Sequence, residues 1–118
     1  MYLLLEYPTC STCKKAKKWL DEHQIPYQTR HIKEQPPNVE ELKQWHQMST
    51  LPLKRFFNTS GMVYKEMQLK EKLPQMSEEQ QYKLLAENGM LVKRPLLIGS
   101  DIILIGFQET QWEQILSQ

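Results

Sequence analysis

Residues 7–15, Tyr7-Pro8-Thr9-Cys10-Ser11-Thr12-Cys13-Lys14-Lys15, decide the fold and contain both cysteines of the 118-residue chain. Before them, residues 2–7 form a short apolar run that Pro8 stops, which predicts a buried strand. Two cysteines separated by two residues can meet as a disulfide across one helical turn. The rest of the chain is expected to support this pair.

A helix is predicted directly after the cysteine pair. Cys13 and Leu20 belong to an apolar stripe at helical spacing, while a run of lysines takes the other faces. Ser11 or Thr12 is expected to cap the start of this helix. Residues 27–32 then have the alternation of a second strand, which completes a β-α-β unit.

The middle of the chain, residues 36–90, is predicted to be a run of short helices. Asn38 with Glu41, and Ser77 with Gln80, have the spacing of capping boxes at helix starts. Several aromatic side chains on apolar stripes, here and elsewhere in the chain, are expected in the core: Trp19, Trp45, Phe56, Phe57 and Trp112.

Strands return near the C-terminal end of the sequence. Residues 96–98 and 102–105 are apolar, residues 99–101 between them indicate a hairpin loop, and residues 109–116 have a helical pattern with Trp112, Ile115 and Leu116 on one side. The element order β-α-β, helices, β-β-α predicts an α/β, thioredoxin-like fold with a four-stranded mixed sheet and an all-helical insertion between strands 2 and 3.

The length suits one domain, residues 1–118, with a core of residues 1–35 and 91–118 and an insertion of residues 36–90. The formal charge of +1 gives no overall attraction to nucleic acid or anionic membrane. No apolar run is long enough to span a bilayer, and the N-terminus does not resemble a signal peptide. We therefore expect a cytoplasmic protein with reduced thiols.

The cysteine pair predicts redox chemistry. Cys10 is expected just ahead of the helix, where free backbone N–H groups and the helix dipole favour a thiolate. Cys13 is expected half-buried in the first turn. Cys10 would attack, and Cys13 would resolve the product into a Cys10–Cys13 bond. The alternatives are two reduced thiols without a role and half of a zinc site, for which a second C-x-x-C is missing.

Arg94-Pro95 is the second candidate feature. In a thioredoxin-type core, a cis-proline at the start of this strand faces the active-site loop. Arg94 would then point toward Cys10 and lower its pKa or hold an oxyanion. The alternative is a solvated surface arginine.

With these features placed, the sequence resembles the arsenate reductase-like ArsC family that also contains the Spx and MgsR regulators. The matching stretches extend over almost the whole chain: residues 7–16, 34–37, 56–61, 89–96 and 105–107. The resemblance implies a thioredoxin-like fold, a nucleophilic Cys10 and a cis-proline at Pro95. It also implies a site that binds substrate or an anion: Ser11, Thr12, Lys14, Asn58 and Pro95.

The sequence departs from both kinds of relative. Glutaredoxin-linked arsenate reductases have serine in place of Cys13 and hold the oxyanion with three arginines, of which only Arg94 is kept; Asn58 and Gly106 stand at or near the other two positions. We also expect the chain to lack the extended C-terminal tail of Spx, and residues 49–54, where the Spx docking loop is expected, contain no glycine. We therefore expect a separate branch of the family.

Two functions are consistent with these features. The first is a small cytosolic thiol–disulfide oxidoreductase, or arsenate reductase-like protein, in which Cys10, Cys13 and Arg94 are catalytic and a cellular thiol (glutaredoxin, thioredoxin or a low-molecular-weight thiol) restores the reduced state. The alternative is an Spx-like redox-sensing regulator that binds the RNA polymerase α-subunit. No cofactor, metal, membrane or direct nucleic-acid partner is predicted. A third interpretation is a fold kept for another role, with idle cysteines.

Overall fold

The computed structural model describes residues 1–116 and contains a four-stranded mixed sheet. Its strands are β1 (Tyr2–Glu6), β2 (Tyr27–His31), β3 (Leu96–Ile98) and β4 (Ile103–Ile105). The order across the sheet is β2-β1-β3-β4, with β1 parallel to β2 and antiparallel to β3. β3 and β4 form an antiparallel hairpin. The predicted α/β class and mixed sheet are confirmed.

One face of the sheet is covered by α1 (Ser11–Glu22) and α6 (Glu109–Leu116). Burying each large apolar side chain there contributes roughly 1.5–3 kcal/mol. The buried residues of this cluster are Leu4, Ala16, Trp19, Leu20, Leu97, Leu104 and Trp112. Trp112 is fully buried and donates its indole N–H to the Gly106 carbonyl oxygen over 3.2 Å. This packing fixes α1 against β1, and with it the loop between them.

The middle of the chain is built from short helices, as the sequence predicted. They are α2 (Val39–Ser49), α3 (Met62–Glu66), α4 (Leu69–Lys72) and α5 (Glu78–Glu87), with 3₁₀ turns at Leu53–Phe56, Leu73–Gln75 and Gly89–Leu91. A single antiparallel bridge between Phe57 and Val92 is the exception to the helical pattern in the described part of this segment.

Both predicted capping boxes are present. The Asn38 side chain accepts the Glu41 N–H over 2.8 Å, and the Glu41 carboxylate accepts the Asn38 N–H over 3.0 Å. Ser77 and Gln80 make the same reciprocal pair at the start of α5. Each box satisfies backbone donors that the helix itself leaves open. The predicted core aromatics are also buried, from 0 to 5% exposed.

The contacts within the chain define two compact units. The first joins Met1–His31 to the residues from Arg94 onward and contains the sheet. The second is Ile32–Lys93 and contains α2 to α5. The predicted division of one domain into a core of residues 1–35 and 91–118 and an insertion of residues 36–90 stays a prediction, and its last two positions lie outside the described residues.

Two smaller predictions were wrong. Ile102 was placed in the last strand, but it belongs to the hairpin turn, where its carbonyl oxygen accepts the Gly99 N–H over 2.8 Å. Ile115 was placed on the same side of α6 as Trp112 and Leu116, but it is 41% exposed, whereas Trp112 and Leu116 belong to the core cluster or pack against it. Between residues 1 and 116, no helix has the length and apolar character needed to cross a membrane.

Gly89 generates a stability prediction for the helical unit. A Cβ atom there would lie 1.8 Å from the carbonyl oxygen of Ile32, a backbone atom that cannot turn away. Gly89→Ala should therefore lower the free energy of unfolding by about 3 kcal/mol, measured by urea denaturation. Gly61→Ala is the control, because its Cβ would meet the movable end of the Asn58 side chain at 2.7 Å. If both variants lose the same free energy of unfolding, the close approach of Gly89 to the Ile32 carbonyl oxygen is not what requires glycine there.

Candidate active site

The junction between β1 and α1 positions the cysteine pair. β1 ends at Glu6, and the Cys10 N–H donates to the Tyr7 carbonyl oxygen over 2.9 Å, which closes the loop. Cys10 itself is the N-cap of α1: its backbone is extended, and its Sγ accepts the Cys13 N–H over 3.4 Å. The prediction that Ser11 or Thr12 caps this helix was wrong, since the helix begins at Ser11 and the thiol takes the capping position.

The Cys10 sulfur lies in an environment that favours its thiolate. Partial burial by itself raises the pKa of this thiol. Hydrogen bonds from Cys13, the positive charge of Arg94 and a backbone hydrogen bond from Thr12 oppose it, so that the pKa lies below that of an ordinary cysteine. The side chain is partly exposed, so a substrate sulfur could reach it.

Cys13 lies in the opposite environment. It is completely buried, and this burial raises the pKa of its thiol to about 12. The Cys10 hydrogen bond and the negative charges of Cys10 and Glu6 add to the effect, while a backbone hydrogen bond from Tyr7 opposes it. Cys13 is therefore a protonated thiol at neutral pH, one helical turn from a sulfur that ionises more readily.

Arg94 lies on the same unit as the cysteines, two residues before the start of β3. Its guanidinium carbon is 5.5 Å from the ring centroid of Tyr7, within the range of a cation–π contact. The peptide bond between Arg94 and Pro95 is cis, as the resemblance implied. Arg94 is half-buried, and its charge acts on the Cys10 thiol. The structure therefore places this arginine at the cysteine loop.

The other predicted site residues are spread over both units. Ser11 and Lys14 are exposed in the first turn of α1, and Thr12 is partly exposed. Pro95 is buried at the start of the hairpin, and its carbonyl oxygen accepts the Gly106 N–H over 2.8 Å. Asn58 lies in the helical unit, where its Oδ1 accepts the Ser60 hydroxyl over 3.3 Å. A role for these residues in anion binding stays a prediction.

Two contributors to the site, Glu6 and Tyr7, were not predicted from the sequence. Glu6 was counted as part of an apolar strand, but the residue is only 6% exposed and its carboxylate pairs with the Lys17 ammonium over 2.8 Å. Tyr7 was counted only as the end of the strand, but it supplies both a backbone hydrogen bond to Cys13 and the ring beneath Arg94. A charged residue at an inward position of a buried strand was the available signal for Glu6.

Comparison with known proteins identifies relatives along nearly the whole chain. The model of the ArsC family matches residues 5–115. An ArsC family related protein from Bacteroides fragilis has a similar crystal structure, with 57% identity, a TM-score of 0.92, and 96% of this chain and 95% of that chain covered.

Two further relatives carry functional names. The structure of a possible arsenate reductase from Streptococcus mutans is 45% identical, with a TM-score of 0.86 and 92% of each chain covered. The global transcriptional regulator Spx from Enterococcus faecalis is 31% identical over 98% of this chain and 86% of its own length. These similarities confirm the predicted thioredoxin-like fold of the ArsC type.

The charge of Arg94 generates a prediction about thiol reactivity. In Arg94→Gln the pKa of Cys10 should rise, because a positive charge that favours the thiolate is lost. At a fixed pH below that pKa, alkylation of Cys10 by iodoacetamide should slow by about three- to tenfold. The measurement is the alkylation rate as a function of pH, followed by mass spectrometry.

Lys14→Gln is the matched control for this experiment. It removes one positive charge next to the same loop, but from an exposed side chain whose field is screened by water and salt. Its alkylation profile should stay close to that of the unmodified chain. Equal slowing in both variants would show that Arg94 has no specific effect on Cys10.

Proposed function

Because this chain belongs to the ArsC family, we propose that it is a small thiol–disulfide oxidoreductase with Cys10 and Cys13 as its redox pair. The observation that carries the proposal is the contrast between the two thiols. The partly exposed sulfur has a lowered pKa, and the buried sulfur one turn later has a pKa raised to about 12. This is the arrangement that an attacking thiol and a resolving thiol require.

The reaction has two displacement steps. In the first, the Cys10 thiolate attacks one sulfur of an oxidised substrate, and the other sulfur leaves as a thiolate with its electron pair. In the second, Cys13 loses its proton to solvent and attacks the Cys10 sulfur, which releases the remaining substrate thiolate. The substrate has then gained two electrons, and the protein holds a Cys10–Cys13 disulfide. A cellular thiol reduces this disulfide and returns both cysteines to the thiol state.

Arg94 supports the first step of the proposed reaction. Its guanidinium carries a permanent charge, so it favours the Cys10 thiolate throughout the physiological pH range. The ring of Tyr7 packs against this guanidinium. We propose that this cation–π contact helps to keep Arg94 near the attacking sulfur.

Arsenate is a weaker candidate for the substrate. Family resemblance leads one to expect three arginines around the oxyanion, and only Arg94 is present in this sequence. Each lost charge-assisted contact would weaken oxyanion binding by about 1.5–3 kcal/mol. We therefore favour a disulfide or another oxidised sulfur as the substrate. The partners proposed are glutaredoxin, thioredoxin or a low-molecular-weight thiol, in the cytoplasm.

A second candidate function is redox sensing at RNA polymerase, in the manner of Spx. It is supported by 31% identity to Spx over 98% of the chain. In this case the same cysteine pair would switch the affinity for the polymerase α-subunit. Pull-down with the purified α C-terminal domain, on the reduced and the oxidised chain, tests this function. No binding in either state would exclude it.

Single-cysteine variants provide the direct test of the proposed redox pair. With the disulfide of a low-molecular-weight thiol as oxidant, the unmodified chain should form an internal disulfide. Cys13→Ser should stop at a mixed disulfide on Cys10, because no resolving thiol follows. Cys10→Ser should stay largely unreacted, since Cys13 is fully buried and protonated. Mass spectrometry under non-reducing conditions distinguishes the three products.

The outcome that contradicts the proposal is equally specific. If Cys10→Ser reacts as fast as Cys13→Ser, the assignment of the attacking and resolving thiols is wrong. If the unmodified chain accumulates the mixed disulfide without closing it, Cys13 is not a resolving residue.

A further inference from the structure

Glu6 stands out among the charged residues of the chain. It is the last residue of β1, four positions before Cys10. Among residues 1–116 it is the one charged residue that is buried, with 6% exposure. A buried carboxylate is costly unless it is paired, and its partner here is the Lys17 ammonium at 2.8 Å. An apolar residue could have ended this strand without that cost.

The ion pair connects the end of β1 to the helix that carries Cys13. Lys17 follows Cys13 by four residues on α1, so the two side chains occupy the same helix face one turn apart. The negative charge of Glu6 also contributes to the raised pKa of the Cys13 thiol. The buried Glu6 carboxylate therefore acts electrostatically on the fully buried Cys13 sulfur, and the Lys17 ammonium that pairs with this carboxylate belongs to a side chain that is 31% exposed.

Other titratable groups lie near the Glu6–Lys17 pair or near the cysteines. On β2, His31 is the register partner of Glu6, and Tyr27 has a raised pKa from burial, a hydrogen bond to Asp21 and the charges of Asp21 and Glu6. The Cys10 thiol lies on the loop side, with Arg94 acting on it. The Glu6–Lys17 pair is the ionic contact that joins the end of β1 to the helix carrying Cys13.

We propose that Glu6 and Lys17 are positioning residues that set the rate at which Cys13 closes the disulfide onto Cys10. The Glu6 carboxylate opposes formation of the Cys13 thiolate, and the Lys17 ammonium offsets that carboxylate. The inference rests on the proposed redox function, because it concerns the second displacement step. In that step Cys13 gives its proton to solvent, its sulfur bonds to the Cys10 sulfur, and the outer thiolate leaves with the electron pair.

Because Glu6 and Lys17 have opposite charges, an experiment can distinguish an electrostatic effect on Cys13 from a purely structural role of the ion pair. Glu6→Gln and Lys17→Gln break the same ion pair. If the pair only held β1 against α1, both variants would change the closure rate in the same direction. If it acts through the charge on Cys13, Glu6→Gln should accelerate closure and Lys17→Gln should slow it.

The expected size follows from thiol chemistry. A tenfold change in the thiolate fraction of Cys13 changes the closure rate by only about threefold, because a more basic sulfur is also the stronger nucleophile. We therefore expect closure about threefold faster in Glu6→Gln and about threefold slower in Lys17→Gln. The pH profile of closure should move to lower pH in the first variant and to higher pH in the second.

The experiment uses the whole chain and the aromatic disulfide dithionitrobenzoate, whose released thiolate is coloured. Cys10 attacks the reagent and releases one coloured thiolate; closure by Cys13 releases a second. The rate of the second phase is the quantity of interest, measured across a range of pH. Lys18→Gln and Glu22→Gln are the matched controls, because they make the same chemical changes at exposed positions of α1.

If Glu6→Gln fails to fold, the comparison of Lys17→Arg with Lys17→Gln still tests the proposal. It retains the positive charge and should close at nearly the unmodified rate, while Lys17→Gln should be slow. Circular dichroism checks that each variant is folded. The second phase should keep its full amplitude in all folded variants, since no reacting sulfur is changed.

The contradicting results are distinct. Changes in the same direction in Glu6→Gln and Lys17→Gln, or changes no larger than in the controls, would overturn this inference alone. A second phase that is missing from the unmodified chain would overturn both this inference and the proposed redox function, because there would be no closure step to regulate.

Discussion

The hydrogen bond from the Cys13 N–H to the Cys10 sulfur, 3.4 Å long at the first turn of α1, is the interaction on which the site depends. It makes Cys10 the cap of its own helix, so the sulfur is held where backbone donors converge. The same bond fixes the spacing of the two cysteines. Everything that holds α1 against β1 therefore also holds the thiol pair, including the core around Trp19 and Trp112.

The two thiols differ because their surroundings differ, although they are three residues apart. At Cys10, partial burial is outweighed by hydrogen bonds and by Arg94. At Cys13, complete burial dominates and neighbouring negative charge adds to it. One short loop thus separates an ionisable sulfur from a protonated one. Membership of the ArsC family is consistent with thiol chemistry. The contrast between the two thiols favours a mechanism that uses both of them.

Much of the fold could be predicted because its signals are local. The capping boxes at Asn38 and Ser77 consist of residues three apart, and three of the four strands, β1, β3 and β4, are short apolar runs. The position of Cys10 at a strand-to-helix junction followed from the same patterns. What could not be predicted depends on contacts between distant residues. The Glu6–Lys17 pair joins a strand to a helix. The sequence offered Ser11 and Thr12, whose hydroxyls commonly cap helices, but in the structure the Cys10 thiol caps α1 instead.

The central claim is that Cys10 and Cys13 form a reversible redox pair. The most direct measurement is a redox titration of the whole chain against a dithiol buffer of adjustable ratio, with the internal disulfide quantified by mass spectrometry at each point. A reversible pair should give a single two-electron transition, in which the oxidised product contains only the Cys10–Cys13 bond. If this bond forms at no ratio, or if disulfides form only between separate chains, Cys10 and Cys13 are not a reversible redox pair.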